Sequence, residues 1–328
     1  MEYEMVVADP AGNITVFVLD PVDSPEERAA LSKAILGDPL LKAEQAGFVI
    51  PPEREDGLWR LEMMGGEFCG NAARSFGLFV AARRGLKGKL AIPVSVSGTG
   101  RPVTVNVDVE AGWAEAEVPP PLALGVCCAS RTESEKIADR AIANLCSIYP
   151  ANSSHRTSGS RSPENRTEGP RLLDSLEGGL PVVVFDGITH VIAPDITPSE
   201  ASFKRIRESL ENRGFCGIYD AKIHKYNRLP AALGVLFYDP PSRFMTPAVY
   251  VRATDTLVFE SSCGSGSAAL GVWESRDLSN GERRLSAAQP GGVIEVKVRK
   301  NRGRVDAVSI GGAVTLSRLE AQQSPRIK

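Results

Sequence analysis

Apolar positions fall along this chain in short strand-like and helix-like stretches, and the same succession of stretches occurs twice. In the first half, Thr15-Val16-Phe17-Val18-Leu19 reads as a strand. A helix follows, with Ser24 as N-cap, Pro25 as its first residue and Glu26 to Leu31 as its continuation: the hydroxyl accepts one of the free N–H groups, and proline has none to leave unpaired. Phe48-Val49-Ile50 and Leu58 to Met63 read as strands, and Gly65-Gly66-Glu67-Phe68-Cys69-Gly70-Asn71 then opens a helix of small residues from Ala72 to Val80. Val94 and Val96 on one side and Val103, Val105 and Val107 on the other flank Ser97-Gly98-Thr99-Gly100, which predicts a hairpin rather than a phosphate loop, since no helix follows it.

The second half repeats this order. Pro181 to Phe185 reads as a strand, a helix runs from about Pro198 to about Asn212 with Thr197-Pro198 repeating the cap-then-proline start, and Leu233 to Phe237 and Ala248 to Val251 read as strands. Glu260-Ser261-Ser262-Cys263-Gly264-Ser265-Gly266 then opens the helix Ser267 to Trp273, and Val293 to Val298 closes the half as a strand. Each half places Cys-Gly at the same strand-to-helix turn, Cys263 standing 194 residues after Cys69. Folding the halves face to face brings both cysteines to one cleft.

Length supports the duplication. At 328 residues the chain exceeds one compact core, so the expected organisation is a lobe over 1–125 carrying Cys69, a connecting segment over 126–178, and a lobe over 179–328 carrying Cys263, with a last strand able to return to the first lobe. Residues 151–170, rich in Ser, Arg, Asn and Gly, cannot pack a core and predict a mobile loop. The 38 basic and 40 acidic residues nearly cancel, to a net charge of -2, which argues against nucleic acid or a membrane surface as partner and favours a small molecule. The start Met1-Glu2-Tyr3-Glu4-Met5 has no secretion signal and no apolar run is long enough to span a bilayer, so a soluble cytoplasmic protein is expected, with a homodimer left open.

Six cysteines at irregular spacing (69, 127, 128, 146, 216, 263) read as free thiols, and with three scattered histidines (155, 190, 224) they give no metal-site spacing. No Walker or dinucleotide fingerprint is present, so neither metal nor cofactor is expected. Chemistry therefore falls to Cys69 and Cys263. A cysteine at a helix N-terminus faces unpaired N–H groups and the positive end of the helix dipole, which favour the thiolate. The same N–H groups, with Gly70-Asn71 and Gly264-Ser265 following the cysteines, can take a substrate carboxylate. One thiolate would remove a proton from a substrate carbon while the opposite thiol returns one to the other face.

At these residues the chain resembles the diaminopimelate epimerase-like superfamily, and within it the histidine racemases of metallophore biosynthesis. The resemblance rests on Pro10-Ala11-Gly12-Asn13-Ile14-Thr15, Glu44-Gln45-Ala46-Gly47-Phe48, Gly66 to Ala72, Glu260 to Gly266 and Gln289-Pro290-Gly291-Gly292, in that order. It implies an α+β fold of two pseudo-symmetric lobes, each wrapping strands around a central helix, with Cys69 and Cys263 as acid/base groups between them and a free amino acid, histidine first, as substrate. It further implies that Asn13 and Gln45 contact the substrate, that Glu44 lies near its side chain, and that no cofactor is needed. Ile14 after Asn13 and Val251 before Arg252 depart from the diaminopimelate pattern and weaken the site for a second head group.

Blander readings exist for each residue. Asn13 can be a turn residue, Glu44 a solvated charge, and Glu67 or Glu260 a helix cap, Glu260 being the better candidate for the substrate amine. His190 reads as structural, at a strand end near the cleft, and the other four cysteines as incidental. Three functions remain: a histidine racemase, a racemase or epimerase of another polar amino acid such as diaminopimelate, or a carboxylate-binding module with inert cysteines.

Overall fold

The computed structural model describes residues 3–54, 56–127, 179–213, 215–218 and 231–319. The predicted loop 151–170, nearly all of the connecting segment 126–178, Cys128, Cys146, His155 and His224 lie outside the described residues.

The first half runs β1 (Met5–Asp9), β2 (Thr15–Val18), α1 (Pro25–Leu36), β3 (Gln45–Ile50), β4 (Arg60–Met63), α2 (Gly70–Arg83), β5 (Lys89–Val96), β6 (Val103–Asp108), β7 (Trp113–Val118) and β8 (Ala123–Cys127). The second runs β9 (Leu180–Val184), β10 (Ile188–Pro194), α3 (Glu200–Arg213), β11 (Phe215–Ile218), β12 (Ala232–Asp239), β13 (Phe244–Val251), β14 (Thr256–Phe259), α4 (Gly264–Glu274), β15 (Gly281–Gln289), β16 (Gly292–Asn301), β17 (Arg304–Ala313) and β18 (Thr315–Arg318).

The two halves share one pairing scheme. β2 runs parallel to β3, β3 antiparallel to β4, and β4 parallel to β5, which leads into the meander β5-β6-β7. In the second half β10 runs parallel to β12, β12 antiparallel to β13, and β13 parallel to β15, which leads into β15-β16-β17. Each half also gives a strand to the other: β8, after β7, pairs with β9, and β18, after β17, pairs with β1. The antiparallel pair β7–β17 joins the two meanders along their edges.

A small-residue, largely apolar helix lies inside each wrap, and the buried polar stripe of α2, Asn71, Arg74 and Ser75, is hydrogen-bonded within the protein. In α2 every residue from Gly70 to Ala81 is buried, and in α4 Gly264 and Gly266 to Val272 are. Glycine lets each helix approach its strands. A Cβ on Gly77 would lie 2.4 Å from Val105 Cβ on β6, and one on Gly271, again 194 residues on, 2.5 Å from Val296 Cγ1 on β16. The fold is α+β, with a second apolar layer under α1 in one lobe and α3 in the other. No described helix is long and apolar enough to cross a membrane.

The helix starts differ from one another. Ser24 caps α1 as expected, accepting from Glu27 N–H. At α3 the expected Thr197-Pro198 start is corrected: Ser199 Oγ accepts from Ser202 N–H at 3.0 Å and Ser199 O from Phe203 N–H at 2.9 Å, so Ser199 is the cap and Pro198 stands outside the helix.

Candidate active site

Both candidate cysteines are N-caps with extended backbone, Cys69 (φ -119, ψ 115) on α2 and Cys263 (φ -122, ψ 110) on α4. The two helix starts meet on one side chain: a Cβ on Gly70 and one on Gly264 would each lie 2.7 Å from Ile310 Cδ1 of β17. Gly264 also lies against Asn71, 3.4 Å from its Oδ1 by the same construction. Thus Gly70, Asn71 and Gly264 come together where the lobes touch.

Loops from both lobes close one end. Gly291 N–H donates to Ser261 O at 2.8 Å, and a Cβ on Gly291 would lie 2.4 Å from Ala11 O. The Pro10–Asn13 loop can seat there only because Gly12 (φ +86) and Gly291 bring backbone against backbone. Each cysteine turn has its own strut. Ser97 Oγ donates to Glu67 O and accepts from Met63 N–H in the first lobe. In the second, Gln289 Oε1 accepts from Cys263 N–H at 2.8 Å while its Nε2 donates to Ser267 Oγ at 3.0 Å.

The thiols' electrostatics reverse the expectation drawn from the helix ends. Burial pushes the Cys69 thiol up to about 11; the neighbouring Glu67 carboxylate adds to this, while the Ala72 and Asn71 N–H groups and the Gln45 amide pull it back. Cys263 is pushed well above the ordinary thiol value, again chiefly by burial and then by the Glu260 carboxylate, which its thiol hydrogen-bonds. Loss of solvation outweighs the helix N-terminus. With these shifts both cysteines favour the thiol at neutral pH.

Glu260 carries the matching perturbation, raised to about 7 by burial and by the nearby Glu44 charge against the lowering effect of its bond to Cys263. It is half-buried, whereas Glu67 is exposed. Ser265 Oγ lies 3.6 Å from Cys263 Sγ and 2.9 Å from His190 Nε2. His190 is not at a strand end: it is the third residue of β10, fully buried, and burial lowers its pKa to about 3, so the ring is neutral. Among the described residues its Nδ1 has no partner, which favours the proton on Nε2 and leaves the Ser265 hydroxyl to donate toward the Cys263 sulfur.

Glu44 is no solvated charge. It is half-buried; its Oε2 accepts from Asn13 Nδ2 at 2.5 Å and its Oε1 from Ser261 N–H of the second lobe at 3.3 Å. Asn13 and Asn71 are buried and bonded to each other at 3.2 Å. Gln45 opens β3, takes the Thr15 hydroxyl on its Oε1 at 3.4 Å and turns its amide to the Cys69 sulfur. Reading the sequence placed His190 near the cleft as a structural residue and gave no role to Gln289 or Arg74, of which only Gln289 carried a signal, as the first residue of Gln289-Pro290-Gly291-Gly292.

Gly98 supports the Cys69 turn from the hairpin. With φ +72, it would place a Cβ 2.3 Å from Phe68 N and 2.7 Å from Glu67 C, both backbone. Gly98→Ala is therefore expected to destabilise the chain by about 2 kcal/mol or more, combining overpacking with a left-handed conformation. The check is the thermal midpoint of unfolding, and an unchanged midpoint contradicts it.

A family model described as the histidine racemase CntK N-terminal domain matches residues 2–143 and 173–319. The chain belongs to this family. It is similar to a histidine racemase of Fusobacterium nucleatum, 27% identical over 305 residues covering 92% of each chain. A histidine racemase of Staphylococcus aureus is 23% identical, covering 94% of this chain and 92% of its own. Among solved structures, a probable proline racemase from Agrobacterium radiobacter (12% identity, TM-score 0.54, covering 97% of this chain and 93% of its own) shares the fold. So does a hydroxyproline epimerase from Agrobacterium vitis (10% identity, TM-score 0.51, 97% and 92%). The histidine racemase family member described here is an isomerase, an amino-acid racemase.

Proposed function

We propose that the chain racemises free histidine without a cofactor, by proton transfer at the α-carbon between Cys69 and Cys263. The observation that carries this reading is the pair of N-capping cysteines on equivalent buried helices whose starts share Ile310. Two such turns present one sulfur to each face of a carbon held between them. The free N–H groups at the starts of α2 and α4 receive the substrate carboxylate and stabilise the negative charge that develops on deprotonation.

In one direction the Cys263 thiol first passes its proton to the Glu260 carboxylate to which it is bonded. The thiolate then takes the α-proton and Cys69 delivers its own proton to the opposite face. The turnover leaves a thiol at 263, a thiolate at 69 and the first proton on Glu260; return of that proton to Cys69 through solvent restores the starting state, and the reverse reaction runs the same steps backwards. Glu44 supports the choice of histidine: it is a carboxylate at the lobe boundary, able to accept from an imidazole N–H. The similarity to histidine racemases supports the same choice.

The test is α-proton exchange. L-histidine incubated with the purified chain in D2O is expected to lose its α-proton signal and gain the D-enantiomer, whereas the other amino acids exchange far more slowly. Exchange with a different amino acid moves the substrate assignment, and exchange with none, diaminopimelate included, overturns the catalytic reading.

A further inference from the structure

Hydrogen-bond direction ties a buried arginine to the substrate side of the cleft. Arg74, one turn into α2, has no exposed surface, and a guanidinium can only donate. Its Nε donates to Asn71 Oδ1 at 3.2 Å, which turns the Asn71 NH2 toward Asn13 Oδ1, also at 3.2 Å. The Asn13 NH2 is then left to donate to Glu44 Oε2. Either asparagine amide could be turned end for end if it stood alone. Between a guanidinium that only donates and a carboxylate that only accepts, neither can be. Arg74 Nη1 is held in turn by Gly312 O at 2.9 Å and Ala313 O at 3.2 Å, where the chain leaves β17 to return to the first lobe.

We infer that Arg74 is a positioning residue, fixing the amide directions of Asn71 and Asn13 and so holding Glu44 toward the substrate side chain. The inference rests on the reading of Glu44 as the side-chain contact. Around the guanidinium stand Asp9 of β1, Glu295 of β16 and Cys69, and burial lowers its pKa only to about 10, so it remains a cation at neutral pH. Asn71 and Arg74 are three apart on one helix and face the same way, while Asn13 lies just before β2 and Glu44 between α1 and β3.

The test is a double-mutant cycle on kcat/KM for histidine, using Arg74→Met, Glu44→Gln and the pair. Arg74→Met alone is expected to lose about tenfold, the scale of one hydrogen bond in a charge-assisted chain. In the Glu44→Gln background the further loss should stay within about twofold, because what Arg74 held is already disabled. An equal loss in both backgrounds marks a packing defect and overturns the inference. A second measurement does not use activity: the side-chain amide 1H–15N signals of Asn13 and Asn71 in the full chain without substrate. Arg74→Met should shift both, and unchanged signals overturn the inference even if histidine proves not to be the substrate, so the two readings fail separately. Should Arg74→Met not fold, Arg74→Lys is read the same way, since an ammonium keeps the charge but lacks the fork that spans Asn71 and the two carbonyls.

Discussion

Cys69→Ser and Cys263→Ser each lower racemisation by about 10²–10⁴-fold, the contribution of one general acid or base, and leave the fold intact. Serine is close to cysteine in shape and can still cap a helix, as Cys69 does by accepting from Ala72 N–H at 3.4 Å. Its hydroxyl gives up a proton far less readily than a thiol, so the variant keeps the site and loses one proton carrier. The two enantiomers of a free amino acid are equal in free energy, so kcat/KM must fall by the same factor in both directions. Exchange in D2O separates the two faces. With one thiol left, each variant should still wash out the α-proton of a single enantiomer with retention, and the two variants should retain opposite enantiomers. The measurement is 1H NMR beside chiral analysis of the recovered amino acid; full racemisation by either variant excludes the two-thiol mechanism.

The duplication was legible because both halves bury a small-residue helix and alternate their strands, and such patterns are local. Several strands were not. Gly281–Gln289 contains Glu282, Arg283 and Arg284 and becomes β15 only by pairing along its whole length with β16. Ile188–Pro194 follows β9 after a three-residue turn, and its apolar run carries Thr189 and His190 into the core. The cysteine turns were visible from a Cys-Gly step before a small-residue helix. The state of their thiols was not, because it depends on burial between lobes, and local sequence showed the helix end but not the loss of water that outweighs it. The supporting polar residues were hidden for the same reason. His190 meets Ser265, Gln289 meets Cys263 and Arg74 meets Gly312 only through tertiary structure, and no spacing announces those contacts.

That loss of water sets the second large effect, at Glu260. If Cys263 must pass its proton to this carboxylate, only the ionised form can accept it, and its pKa of about 7 places an acid limb there. Below pH 7, kcat/KM for either enantiomer should fall about tenfold per pH unit. Glu260→Gln removes the acceptor, lowers kcat/KM at pH 7 by about 10²-fold and abolishes that limb, and the deficit narrows as rising pH ionises the thiols directly. A glutamine variant that keeps the limb at pH 7 assigns it to another group and removes Glu260 from the mechanism. Stability follows from the same proton. Between the ordinary value of 4.5 and about 7 the folded chain holds a proton that the unfolded chain has released. The folded state binds more protons in that window, so this group's contribution to unfolding free energy falls as pH rises through it, by up to about 3 kcal/mol, and is level above it. Urea unfolding at pH 5 and pH 8 should show that fall in the parent and a flatter response in Glu260→Gln. Burial makes Glu260 a better acceptor in the same step that lowers stability: a carboxylate at its ordinary value is ionised at neutral pH but a weaker base, whereas one raised to about 7 is still partly ionised there and takes the thiol's proton more readily.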